Sequence, residues 1–212
     1  MQKFYSMNLT VIPDGWRLFS IRNADKKFLA FKQKIFERDG YTCRYCGIVS
    51  KLYQEVVNLD GNYRNNKAQN LVTACYFCFQ CCFLEAVGNG NARGGMLIYL
   101  PELSQRDLNA ICFALFSSIF NSTYHATGAQ GIYENLKNRA EIIESRLGKD
   151  MSDPSLFGRL LLDMPNDSRK KIEQNIAPFI RLLPIYEKFT DVILELSGNF
   201  NKVIPEYLKK GV

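Results

Sequence analysis

Polar and apolar residues alternate on both sides of a turn near the start of the chain. Residues 7–12 and 16–21 alternate about Pro13-Asp14-Gly15, where proline presets φ and glycine accepts a positive φ, so the pattern predicts an N-terminal β-hairpin. The period then lengthens. Phe28, Phe31, Ile35 and Phe36 fall on one face at helical spacing, which predicts a helix over Lys26–Arg38, ended by Asp39-Gly40. The stretch from Gly88 to Gly95 is too rich in glycine for a packed element and reads as a loop. Residues 96–100 read as a short buried strand stopped by Pro101.

From there the pattern is helical. Ser104 and Asp107 resemble a capping box ahead of a helix reaching Phe120, whose stripe is Leu108, Ile111, Cys112, Leu115, Phe116 and Ile119. Residues 132–147 keep the period through Leu136, Ala140 and Ile143. Further helices are predicted over Pro154–Asp163, 168–177, 185–196 and a short piece at 203–209, with Pro165, Pro178 and Pro184 breaking the run. The expected fold is α+β and mostly helical. Residues 1–95 would hold the hairpin and a metal finger, and residues 96–212 a helical region packed with the first as one unit.

Composition narrows the class. Of 212 residues, 47% are hydrophobic and 23% charged, which permits a globular core without disulfide scaffolding. No apolar run approaches the roughly 18 residues of a membrane-spanning helix, and the first residues lack the apolar stretch of a secretory signal. A cytoplasmic protein is therefore expected. The net charge of +6 lies entirely in residues 1–100, the remainder being neutral. A basic half suits nucleic acid or an acidic partner, and equally a plain solvated surface.

The chemistry lies in the cysteines. Six of seven fall between Cys43 and Cys82. Cys43-Arg-Tyr-Cys46 and Cys75-Tyr-Phe-Cys78 are two C-x-x-C pairs, and each pair at that spacing can grip one edge of a tetrahedral ion. Four thiolates leave no open coordination position, so Cys43, Cys46, Cys75 and Cys78 are predicted to hold one structural zinc ion. If Cys75 opens a helix, Cys81 shares a face with Cys78 and is an alternative ligand; otherwise Cys81, Cys82 and Cys112 serve as small buried hydrophobes. The aromatics Tyr76, Phe77, Phe79 and Phe83 either form the finger's core or leave part of the cluster exposed for a partner.

The segment FKQKIFERDGYTCRYCG, Phe31 to Gly47, resembles the opening of an HNH endonuclease finger, and Gln69-Asn-Leu-Val-Thr-Ala-Cys75-Tyr-Phe-Cys78 resembles its return. That resemblance implies a ββα finger with a catalytic histidine between the halves. Here Val56-Val57-Asn58 stands in that place, with Asn58 at the histidine position, and Phe79 follows the second pair. An amide nitrogen is not basic and cannot activate water. The one histidine, His125, lies far outside the finger. No catalytic residue is expected, and the chain is not expected to be an enzyme. Asp60 and Glu55 could meet a cation, but neither matches the motif.

A second resemblance reaches further. The finger, followed by Arg93-Gly-Gly-Met-Leu-Ile-Tyr-Leu-Pro-Glu-Leu-Ser-Gln-Arg-Asp-Leu-Asn109 and a helical half, is similar to the IcmJ/DotN family of the Dot/Icm type IVB secretion system. This resemblance implies a cytoplasmic adaptor bound to the C-terminal extension of the type IV coupling ATPase DotL. It would work beside IcmS, IcmW and LvgA, recruited peripherally to the inner membrane, and help collect effector proteins for export. The competing reading is a nucleic-acid-binding protein that kept a degenerate finger without cleavage. The aromatic finger and the seams between the C-terminal helices are the expected docking grooves.

Overall fold

A computed structural model describes residues 3–197. The helix predicted at 203–209 lies outside them. Residues 3–12 run extended along the finger without joining a sheet: Tyr5 N–H donates to Arg44 O at 2.9 Å, and Thr10 N–H to Cys81 O at 2.9 Å.

The predicted hairpin is not formed. A turn does occur at Pro13-Asp14, with Gly15 N–H donating to Ile12 O, but it leads into helix α1, Gly15–Asn23. Helical spacing explains the difference. Gly15, Phe19 and Arg22 are buried and Trp16 half-buried, whereas Ile21, inward in an alternating strand, is 58% exposed. The aromatic side chains at 16 and 19 meet the finger only when placed three apart on a helix. Helix α2 covers Lys26–Arg38 as expected, capped by the Asp25 carboxylate accepting from Lys27 N–H.

Strands β1, Gln54–Asn58, and β2, Leu71–Cys75, pair antiparallel with Gln54 opposite Cys75 and Asn58 opposite Leu71. The single helical turn α3, Tyr76–Phe79, follows directly. Every residue of both strands is buried, which is why neither shows alternation.

Strand β3, Gly95–Tyr99, leads to α4, Gln105–Phe120, whose Ser104 cap is the predicted one. The predicted 132–147 helix is two: α5, Ala126–Asn138, and α6, Ala140–Leu147, divided at Arg139. Then come α7, Pro154–Asp163, and α8, Asn166–Asn175. Strand β4, Ile180–Pro184, was not foreseen; it pairs antiparallel with β3, Gly95 opposite Pro184 and Tyr99 opposite Ile180. Proline at both flanks reads as a helix breaker, yet Pro184 sits on an edge strand of a two-stranded sheet, where a missing N–H is tolerated. Helix α9, Thr190–Ser197, begins later than the predicted 185–196 segment.

One large apolar cluster joins the finger to the C-terminal half. On one side Phe19, Phe79 and Phe83 meet, with centroids 4.9 Å apart for Phe19–Phe79 and 5.2 Å for Phe19–Phe83. On the other, Phe77 stacks on Phe189 at 4.4 Å and meets Phe113 and Phe116. Phe77, Phe79 and Phe83 are fully buried, so they are core rather than an exposed docking platform.

Candidate metal centre

The first cysteine pair sits on a tight reversal between α2 and β1. Gly47 has φ +85°, a conformation costly for any residue with a Cβ, and its N–H donates to Cys43 O at 3.0 Å. Cys43 N–H donates to Ile48 O at 2.8 Å, and Arg44 N–H to Thr73 O at 2.8 Å, which fastens the reversal against β2. The second pair needs no such turn: Cys75 ends β2 and Cys78 is in α3.

This arrangement brings the predicted four together. The sulfurs of Cys43, Cys46, Cys75 and Cys78 all lie within 4.8 Å of one another, and all four residues are buried. Cys46 Sγ and Cys75 Sγ are 3.5 Å apart. A tetrahedral ion with Zn–S bonds of about 2.3 Å sets its sulfurs roughly 3.8 Å apart. The donor set therefore fits a tetrahedral metal ion. All seven cysteines are free thiols.

Electrostatics favour a cation here. Burial works against ionising Cys43, but hydrogen bonds from Cys46, Cys75 and Cys78 hold it well below the usual thiol range. Burial, with the hydrogen bonds of its neighbours, pushes Cys46 and Cys78 well above it. Thiols packed this closely give up one proton readily and resist giving more, unless a cation compensates the charge.

Cys81 stands apart from the four. Its thiol points back to Phe77 O at 3.3 Å, and burial pushes it far above the usual range. Cys82 likewise donates to Cys78 O, at 3.9 Å.

Asn58, at the end of β1, is buried and has both halves of its amide engaged. Its Nδ2 donates to Asn62 O and Asn65 O, each at 2.8 Å, and its Oδ1 accepts from Arg22 Nη1. Arg22 Nη2 also donates to Val56 O at 2.8 Å, while its guanidinium lies 4.3 Å from the Phe28 ring centroid. Burial lowers its pKa to about 10, so it remains charged at neutral pH. The sequence reading missed this arginine because it fell just beyond the predicted strand at 16–21; a 16, 19, 22 helical face was the available signal. Glu55 is spoken for by Lys32 and by Asn91, whose Nδ2 donates at 2.7 Å. Asp60 accepts from Asn65, Asn70 and the Asn62 backbone N–H. His125 is exposed and precedes α5 without capping it.

Among the described residues of the C-terminal half, one polar side chain reaches these four sulfurs: Asn109 of α4 donates from Nδ2 to Cys78 Sγ at 3.3 Å. Among the described residues, no helix is long and apolar enough to cross a membrane.

No known family profile matches the chain. It is 48% identical over 188 residues to the type 4 apparatus protein DotN of Legionella pneumophila, an alignment covering 89% of this chain and 87% of that protein. At that identity and coverage, this chain belongs to the DotN family of Dot/Icm type IV secretion components.

Proposed function

We propose that this chain is a non-catalytic adaptor of the Dot/Icm coupling-protein complex, built around one structural zinc ion. Zinc would be held by Cys43, Cys46, Cys75 and Cys78, where it neutralises thiolates and ties the reversal after α2 to β2 and α3. The observation that carries the zinc reading is the closure of the site: four buried sulfurs at tetrahedral spacing leave no position for water or substrate.

The absence of catalysis is supported by Asn58. At the position where the nuclease resemblance would put a base, its amide is tied to two backbone carbonyls and a buried arginine. An already compensated amide beside a fixed cation offers no proton acceptor.

The docking partner would be the C-terminal extension of the coupling ATPase DotL, in a complex with IcmS, IcmW and LvgA at the inner membrane. Membership of the DotN family supports it. The nucleic-acid reading has less support, because several basic residues of the first half serve internal contacts. Lys32 pairs with Glu55, Arg38 with Asp39, Arg93 with Asp191, and Arg22 is buried.

Pull-down with a synthetic coupling-protein tail tests the adaptor reading, with duplex DNA as the second probe. Stable capture of the tail and no salt-sensitive DNA binding is the expected result. DNA binding that weakens steeply with salt, without tail capture, would replace it with the nucleic-acid reading.

A further inference from the structure

Asn109 has no role in the fold that an apolar residue of its size would not fill, unless its amide matters. It is 0% exposed, in the middle of the apolar cluster, and a buried amide without partners costs about 1–3 kcal/mol. Its partners form a short chain of hydrogen bonds. Leu182 N–H donates to Gln105 Oε1 at 2.8 Å, and Gln105 Nε2 donates to Leu182 O at 2.8 Å and to Asn109 Oδ1 at 2.9 Å. Asn109 Nδ2 then donates to Cys78 Sγ at 3.3 Å and, at the longer distance of 4.0 Å, to Cys81 Sγ.

The direction of every bond follows from the first. A backbone N–H can only donate, so the Gln105 atom facing Leu182 N–H is its oxygen. Its nitrogen must then face Asn109, whose oxygen accepts, leaving the Asn109 nitrogen toward the sulfur. Gln105 thus pairs with the open edge of β4 as another strand would, and fixes the amide that faces the metal ligand. An N–H aimed at a thiolate offsets charge that four sulfurs share with one divalent ion.

We infer that Asn109, oriented by Gln105, is a positioning residue of the metal centre. Through it, occupancy of the four-sulfur site is coupled to the β3–β4 sheet. The inference rests on the proposed zinc reading. Coupling of this kind is reciprocal: metal binding steadies the Gln105–Leu182 contact, and that contact raises metal affinity.

Asn109→Ala and Gln105→Ala, made in the full chain, test it. Three readouts are compared with wild type: zinc affinity by chelator competition, the sulfur-to-metal charge-transfer band of the cobalt-loaded protein, and amide hydrogen exchange at Leu182. Asn109→Ala is expected to lower zinc affinity roughly 10- to 100-fold and to move the charge-transfer band. Gln105→Ala should shift both in the same sense by less, and removing metal from wild type should speed exchange at Leu182. A merely structural asparagine would lower the melting temperature without moving the band. If Asn109→Ala does not fold, the Gln105→Ala affinity and the wild-type exchange decide the matter. Unchanged affinity and band in a folded Asn109→Ala protein, or unchanged Gln105→Ala affinity with metal-independent Leu182 exchange, would overturn the coupling while leaving the zinc reading intact. A wild-type protein that holds no metal would remove both.

Discussion

Arg22 Nη1 and Asn58 Oδ1 are hydrogen-bonded at 2.5 Å in a buried pocket floored by the Phe28 ring. The arginine comes from α1 and the asparagine from β1, so the contact fastens the first helix to the first strand of the finger. The same asparagine holds the 59–70 connection through Asn62 O and Asn65 O. Its work is architectural, and a guanidinium occupies its open side.

Asn58→His is therefore expected to yield no nuclease. Imidazole cannot donate to both Asn62 O and Asn65 O while accepting from Arg22, so at least one buried polar group loses its partner. A loss of about 1–3 kcal/mol is expected. Chemical denaturation measures it, and plasmid incubated with Mg²⁺ or Mn²⁺ should stay uncut. Metal-dependent cleavage by the histidine variant would show that the pocket admits a reactive water after all.

The four-cysteine cluster was legible in the sequence because C-x-x-C spacing is local chemistry and depends little on tertiary context. Helices α2, α4 and α7 were legible through their caps and periodic faces. Helix α1 was not. A turn tripeptide such as Pro13-Asp14-Gly15 starts a hairpin or a helix equally well, and the choice fell to Phe19 packing on Phe79 and Phe83. Strand β4 was hidden for a related reason: its partner β3 lies 89 residues earlier for the Gly95–Pro184 pair, 184 against 95, and no local period reports such pairing. Asn109 looked like one polar residue on a helix until a sulfur appeared beside it.

Elemental analysis of purified protein should give about one zinc per chain. Cys78→Ser is expected to bring that ratio close to zero and to expose the 41–87 region to protease, since structural zinc is worth roughly 10–16 kcal/mol in finger peptides. Cys81→Ser should keep its zinc, because the Cys81 thiol is engaged with Phe77 O outside the four-sulfur set. Equal metal loss in the two variants would make Cys81 a ligand.

Glu85 provides a pH dependence whose sign can be worked out. Burial raises its carboxyl from 4.5 to about 7, its own backbone N–H offsetting this only in part, and no other described residue donates to either oxygen. The unfolded chain releases this proton near 4.5, whereas the native one keeps it until about 7. Native protein thus binds more protons in that window, and stability from this group falls as pH rises through it. Glu85→Gln should be more stable than wild type at about pH 8 and lose that advantage toward about pH 5. Urea midpoints of both proteins across the range, with zinc present, check it; an advantage that grows on acidification would reverse the assignment.

Gly158 decides how α7 meets the finger. The buried face of that helix is Pro154, Phe157, Gly158 and Leu161, and it rests on the Leu84–Ala86 turn just beyond the second cysteine pair. A Cβ at Gly158 would stand 2.5 Å from Glu85 N and 2.8 Å from Glu85 Cα. Both are backbone atoms, so no side chain can swing aside. Helix propensity alone would favour alanine by about 1 kcal/mol, but overpacking against backbone costs about 1–3 kcal/mol or more. Gly158→Ala should therefore lower the melting temperature without reducing zinc content. Gly128 and Gly131 of α5 supply the control, since a Cβ at either meets nothing within 4 Å. There propensity is unopposed, and Gly128→Ala and Gly131→Ala should each stabilise by about 0.5–1 kcal/mol. Thermal melts of the three variants separate the two effects. If Gly158→Ala melted higher, as the α5 variants should, the close approach of α7 to the turn would not be what joins the halves.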